Sequence, residues 1–160
     1  MIGIDRVYAY AQGDPVSGID PFGLYDCTYS ISAHHMTCAP NYAYHMQDFD
    51  SSNYVSGNNN IPGPVSCPCQ NNPDQTNVSF HGPLPLGDYS IGPQKPNSSR
   101  RDLQPINAMM GSRDYMQIHG CGDRSKCSDG CIAATTNATR DQLNKLLNTE
   151  NGSNTLHVVW

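Results

Sequence analysis

The chain is poor in charge: 14% of its 160 residues are Asp, Glu, Lys or Arg, against about 25% in an average globular domain. It has no basic stripe, Arg100-Arg101 is its only adjacent basic pair, and its net charge is −5. These absences exclude a nucleic-acid partner held through phosphates. No apolar run reaches the roughly 18 residues a transmembrane helix needs, so no membrane span is expected. No charged segment followed by an apolar one opens the sequence, so no Sec signal peptide is expected. Work outside the cytoplasm would then need another route of delivery. No internal repeat is evident. Cys67-Pro68-Cys69 and the spacing of Cys121 to Cys127 differ from the paired-cysteine pattern of a structural zinc module.

Cysteine itself is plentiful. There are seven: Cys27, Cys38, Cys67, Cys69, Cys121, Cys127 and Cys131. So many in a short chain point to an oxidising compartment and to disulfides. Six can pair, which leaves one thiol over, and Cys131 is the expected odd one. Cys27 with Cys38 and Cys121 with Cys127 are plausible local pairs. Cys67 and Cys69 flank a proline and are not expected to pair with each other; spacing does not assign their partners. Polarity otherwise comes from Asn, Ser, Thr, Gly and Pro, as in loop-rich β proteins. The length suits one domain with a modest core.

Strand signals dominate. Residues 25–43 are polar and β-prone around Tyr29, Ile31 and Met36, and residues 42–46 suggest a further short strand. Residues 51–77 read as loops. Val78-Ser79-Phe80 starts a strand, and Tyr89-Ser90-Ile91 gives another. Residues 115–119 alternate apolar and polar, as a strand ending at His119 would. Residues 131–134 form a buried segment and residues 156–160 a closing strand. The helix candidate is residues 139–147, with Thr139 as its cap, Gln142 completing a capping box, and Leu143, Leu146 and Leu147 on one face. The expected fold is mainly β, a disulfide-stapled sandwich or open barrel with one short helix.

His119-Gly120, followed by Ser128-Asp129-Gly130-Cys131-Ile132, carries the chemistry. Cysteine attacks as thiolate, and a nearby imidazole makes thiolate available near neutral pH. Cys131 is the expected nucleophile and His119 its base. Gly120 and Gly130 would let the backbone approach a substrate, and the N–H groups of Gly130 and Cys131 would hold an oxyanion. Ser128 would shape the turn by local hydrogen bonds. No carboxylate stands at an obvious position to orient the imidazole. A backbone carbonyl near Gly120 is the expected substitute, with Asp114, Asp123 and Asp129 as alternatives. The competing reading makes Cys131 a disulfide partner or a buried thiol. Adjacent His34 and His35 would face opposite sides of a strand and so do not make one metal site. His81, before Gly82-Pro83, is a candidate for lining the substrate groove.

Two further stretches widen the pattern. Asn71-Asn72-Pro73 leads to Val78 and then to Gly82-Pro83-Leu84-Pro85-Leu86-Gly87-Asp88-Tyr89-Ser90-Ile91-Gly92, with Ser56-Gly57-Asn58 upstream. Gly111-Ser112-Arg113-Asp114-Tyr115-Met116-Gln117-Ile118-His119-Gly120 leads to the cysteine element. In order and spacing, over residues 54–135, these elements resemble the type VI secretion L,D-transpeptidase effectors, antibacterial toxins related to the YkuD-like L,D-transpeptidases. The resemblance implies an L,D-transpeptidase-like fold, no metal or organic cofactor, and action on peptidoglycan stem peptides in the periplasm of a target bacterium. It implies that Cys131 attacks the carbonyl of the L-centre of meso-diaminopimelate and expels the terminal D-Ala. Water then resolves the acyl-enzyme (L,D-carboxypeptidase) or a D-amino acid does (exchange). The chain also departs from the pattern. Related enzymes often place Arg soon after the nucleophile, where this chain has Ile132-Ala133-Ala134. Arg113 or Arg124 is expected to meet the substrate carboxylate instead. A bridge between Cys121 and Cys127 would stiffen the loop before the nucleophile and make activity depend on oxidation.

Residues 1–24 resemble the end of an RHS-repeat core, with Tyr8-Ala9-Tyr10, Asp14-Pro15 and the ending Asp20-Pro21-Phe22-Gly23-Leu24. This implies self-cleavage after Leu24 and a toxin domain over residues 25–160. That domain would be carried by the RHS core, secreted by a producing bacterium and matched by a cognate immunity protein. Rival readings are another cysteine peptidase or amidase toxin acting on protein, and a non-enzymatic, disulfide-rich secreted binding module.

Overall fold

The computed structural model describes residues 25–41, 47–59, 68–121, 128–149 and 154–160. Expectations for residues 1–24 and 42–46, and for Cys67, Asp123, Arg124 and Cys127, fall outside that set. The elements are β1 (Tyr25–Ser30), β2 (His35–Pro40), β3 (Phe49–Ser51), β4 (Tyr54–Ser56), β5 (Gly87–Gln94), β6 (Arg101–Pro105), β7 (Gln117–Gly120), β8 (Ile132–Ala134), α1 (Asn137–Leu147) and β9 (Asn154–Val159). Among the described residues no helix is long and apolar enough to cross a membrane.

All these strands belong to one sheet, in the order β3-β2-β1-β9-β5-β6-β7-β8-β4. Its two outer strands are neighbours in sequence, separated only by Ser52 and Asn53. Three peptide steps reach at most about 11 Å, whereas the sheet laid flat would span roughly 40 Å. The sheet therefore curls until its edges approach. Phe49 of β3 and Tyr54 of β4 meet edge-to-face across the seam, ring centres 6.2 Å apart. Of the sandwich and the open barrel, the molecule adopts the barrel, mainly β with one short helix, as the sequence implied.

Alternation fills the interior. Tyr25, Cys27 and Tyr29 of β1 point inward, as do Leu156 and Val158 of β9, the period of two that a half-buried strand requires. Tyr89, Ile91, Leu103, Ile118 and Ile132 continue the core around the sheet. Cys27 and Cys38 stand opposite each other in the antiparallel β1–β2 register and form the expected disulfide. Cys69 and Cys121 are disulfide-bonded too.

Helix α1 packs on β3, β7 and β8, so it bridges the two sides of the seam. Burial of Leu143 and Leu147 contributes on the order of 2 kcal/mol each. The cap is Thr136, not Thr139. Thr136 is extended (φ −130°, ψ 150°) and its hydroxyl accepts from the Thr139 N–H, which leaves Gln142 no capping role. At the other end Arg101 is buried to 2% exposure. Its guanidinium donates to Asn144 Oδ1 at 2.7 Å, to the Asn144 carbonyl at 3.3 Å and to the Asn148 side chain. A cation there suits the negative end of a helix dipole.

Three expectations change. Val78, Ser79 and Phe80 form no strand. The Gly82 N–H donates to the Val78 carbonyl at 2.8 Å and Phe80 sits at φ 64°, so the chain turns. Tyr115, at φ 55°, lies outside β7, which starts at Gln117 and runs past His119 to Gly120. The stretch read as loop over 51–77 contains β4.

Candidate active site

Strands β7 and β8 run parallel with Ile118 opposite Ile132 and His119 opposite Ala133. His119 follows one member of the buried isoleucine rung and Cys131 precedes the other. The register sets the two positions diagonal to each other, with backbones on the order of 7–8 Å apart. The contact of the Cys131 thiol is with the Tyr115 carbonyl, at 4.0 Å. Cys131 is the free cysteine among the described residues. The competing reading of a cystine at this position is thereby removed.

His119 Nδ1 lies 2.7 Å from the Gly120 carbonyl oxygen. A carbonyl only accepts, so Nδ1 carries the proton and Nε2 keeps its lone pair. The backbone thus does what a third carboxylate does elsewhere, as the sequence had suggested. Burial lowers the His119 pKa from its ordinary value; the Gly120 bond and Asp129 oppose that, and Arg100 adds to it. Burial also raises the Cys131 pKa, against the Gln117 backbone bond and the charges of Arg100 and Arg113. Both shifts favour neutral forms.

The two site glycines also differ from expectation. A Cβ on Gly130, at φ 120°, would stand 1.9 Å from Arg113 Nη2. One on Gly120 would stand 2.8 Å from Arg140 Cδ of α1. Each glycine admits an arginine side chain rather than a substrate. The Gly130 N–H, expected to hold an oxyanion, donates to Ser128 Oγ at 3.1 Å. Ser128 Oγ in turn donates to the Cys131 carbonyl at 2.5 Å. Buried Ser128 therefore shapes the nucleophile turn, and the turn uses the donor that Gly130 was to supply.

Arg113 is buried as well. It donates to the carbonyls of Thr76, of Pro83 at 2.6 Å and of Gly82 at 3.0 Å. Its charge reaches Cys131, but its fork is engaged in the wall of the site. His81 is tied by Nδ1 to Asn58 Oδ1 at 3.0 Å, and its carbonyl accepts from the Asn58 N–H at 2.8 Å. Of the remaining histidines, His34 lies in a turn at φ 58°, and His35 pairs with Asp50 at 2.7 Å. Among the described residues no group of three or more His, Cys, Asp or Glu is placed to hold a metal ion.

Asn58, named in the sequence within the Ser56-Gly57-Asn58 element but given no role at the site, is placed there by the structure. Its Nδ2 donates to the carbonyls of Phe80 at 3.2 Å and Ser128 at 2.9 Å, and to Asp129 Oδ1 at 2.8 Å. It thereby locks the nucleophile turn to the 78–82 turn. Its neighbours explain the spacing of the motifs. Ser56 Oγ accepts from the Leu84 N–H at 2.8 Å, and Asn71 Oδ1 from the Ser56 N–H at 2.7 Å. Gly57 has room for no side chain, since a Cβ would meet the His81 carbonyl at 2.5 Å. The Ser-Gly-Asn, Asn-Asn-Pro and Gly-Pro elements, distant in sequence, thus build one wall beside Cys131.

No family model matches the chain, and no curated protein does. Among solved structures, a lysine-to-alanine mutant of the helical cell shape determining protein Pgp2 from Campylobacter jejuni superposes with a TM-score of 0.52 at 13% identity, over 84% of this chain and 46% of that one. Pgp2 without that mutation gives 0.49 at 13% identity, over 88% and 51%. The chain spans about half the length of these structures. The likeness to the first is one of fold: this mainly-β barrel is similar to part of a cell-shape-determining protein.

Proposed function

We propose that the chain is a cysteine acyl-transfer enzyme that removes or exchanges the terminal D-Ala of peptidoglycan tetrapeptides. One observation carries this reading: Cys131 is a free thiol at the entry to β8, the parallel neighbour of the strand that bears His119, whose Nδ1 is fixed on the Gly120 carbonyl. The sequence elements that resemble L,D-transpeptidase effectors support it, because they assemble into the wall around that thiol. A cell-shape-determining protein is also a fitting structural neighbour for an enzyme of the cell wall.

In the proposed reaction the Cys131 sulfur attacks the carbonyl of the L-centre while its proton passes to His119 Nε2. Collapse of the tetrahedral intermediate returns that proton to the departing D-Ala amine and leaves a thioester. Water, deprotonated by the same nitrogen, then hydrolyses the thioester; the amine of a D-amino acid regenerates a peptide bond instead. The chain would act as the toxin portion of an RHS protein, delivered by type VI secretion to a target periplasm and countered by an immunity protein.

Mass analysis of muropeptides tests the reaction. Incubation with the parent chain is expected to convert tetrapeptides to tripeptides or exchange their fourth residue. Cys131→Ala is expected to lower the rate at least about a thousandfold. Unchanged muropeptides, or equal turnover by Cys131→Ala, would remove this reading.

A further inference from the structure

Among the described residues, five other than glycine have a positive φ: His34, Asn71, Phe80, Asn97 and Tyr115. Asn and His occupy this region comparatively readily, whereas a bulky aromatic there is an outlier. Phe80 (φ 64°) and Tyr115 (φ 55°) are therefore the strained pair. Strain in an aromatic residue is commonly offset by burial of its ring. These residues are 74% and 87% exposed, so packing against the described residues does not explain them.

Tyr115 borders Cys131, and Phe80 is tied to the turn that precedes it. The Tyr115 carbonyl lies 4.0 Å from Cys131 Sγ. The Phe80 carbonyl shares Asn58 Nδ2 with the Ser128 carbonyl and Asp129 Oδ1. Neighbouring bonds fix each turn, since Met116 accepts from the Leu103 N–H at 2.8 Å and Val78 from the Gly82 N–H at 2.8 Å. The surroundings thus over-determine two unfavourable conformations whose visible result is a ring presented to solvent. Strain of this kind collects at ligand clamps.

The adjoining pocket says what kind of ligand. Phe80 lines it together with Ser79, Ser112, Asp114, Met116 and Asp129, and Tyr115 does not line it but stands in sequence between two of these residues, Asp114 and Met116. Its cation, Arg113, already donates to three carbonyls, so the pocket offers little to an anion. Hydroxyls and carboxylates beside an exposed aromatic face are the complement of a sugar ring. The C–H face of a pyranose lies on the aromatic, and its hydroxyl and amide N–H groups donate to the carboxylates.

We propose that Phe80 and Tyr115 form a saccharide subsite beside Cys131, which takes the glycan strand carrying the stem peptide. This rests on the stem-peptide reading for its biological setting but not for its test. The probe is a peptide-free tetramer of N-acetylglucosamine, titrated by NMR into the oxidised chain carrying Cys131→Ala. Binding is expected, and Phe80→Gly and Tyr115→Gly are each expected to weaken it about tenfold. Both glycine variants should melt at or above the parent temperature, because glycine relieves the left-handed strain. With active chain, the KM advantage of a disaccharide-linked tetrapeptide over the free tetrapeptide should shrink in both variants. No binding at millimolar tetramer, equal affinity in both variants, or a lowered melting temperature accompanying any loss would overturn the subsite. Failure to cleave any muropeptide would remove the reaction while the tetramer titration still decided the subsite.

Discussion

At the scale of single residues, Cys131 and His119 sit where burial disfavours charge on both. The imidazole must be neutral to take the thiol proton, and burial lowers its pKa below the ordinary 6.5. The acid limb of kcat/KM is accordingly expected below pH 6.5, with full activity reaching into mildly acidic solution. A limb at or above that value would contradict the assignment of His119 as a buried base. Gly130 gives a second expectation. An alanine there combines a φ of 120° with a methyl 1.9 Å from a guanidinium pinned by three carbonyls. Gly130→Ala should cost about 2–3 kcal/mol in chemical denaturation and slow the reaction by displacing Arg113 from Cys131. The candidate thiol, the candidate imidazole and the carbonyl that orients it were all legible, because they fall within the single stretch from residue 119 to residue 131. The true occupants of the space above Gly120 and Gly130 were not. Arg140 and Arg113 approach from other elements, and a glycine does not announce what fills its empty side.

At the scale of elements, His157 ties three strands together. It stands on β9, with Nε2 2.7 Å from Asp26 Oδ1 of β1 and Nδ1 2.6 Å from Asp88 Oδ1 of β5. Both ring nitrogens face carboxylates, so the ring is an imidazolium. The bond to Asp88 raises the His157 pKa, and the bond to His157 lowers that of Asp88. The histidine contribution is fully present below the unfolded value of about 6.5 and is lost as pH rises through the raised folded value. The Asp88 contribution is present above about 3.8 and is lost as pH falls through its lowered value. His157→Gln should therefore lower the melting temperature most at about pH 5–6 and least in alkaline solution; a pH-independent difference would refute the strap. Strands were expected at β1, β5 and β9, but with other bounds: residues 25–43 read as one β-prone stretch, residues 89–91 lie inside β5, and residues 156–160 overlap β9. β3 and β4, of three residues each, hold too little pattern to be read. β6 was not expected, and its Arg101, noted only as one of two adjacent basic residues, lies buried against the end of α1.

At the scale of the whole molecule, the disulfide and the candidate pair belong to different strands of the sheet. Cys27 and Cys38 join β1 to β2, whereas His119 and Cys131 belong to β7 and the approach to β8. Stability and catalysis should separate accordingly. Replacing Cys27 and Cys38 together by alanine is expected to cost about 2–3 kcal/mol in denaturant titration. The rate per folded molecule at low temperature should stay unchanged; a slowed reaction would show that the barrel transmits the constraint. The mainly-β class, as a sandwich or an open barrel, was legible from the sequence; the choice between the two was not, because it follows from which strands become edges, a property of the finished order alone.

That order also bears on synthesis. β9 follows every other strand in the sequence yet is inserted between β1 and β5. Until residues 154–159 have left the ribosome, the β1–β2–β3 ribbon has no partner to join it to the half that carries the thiol. The growing polypeptide therefore holds two unfinished fragments until β9 is made, and the Cys131 sulfur gains its finished surroundings only with that strand.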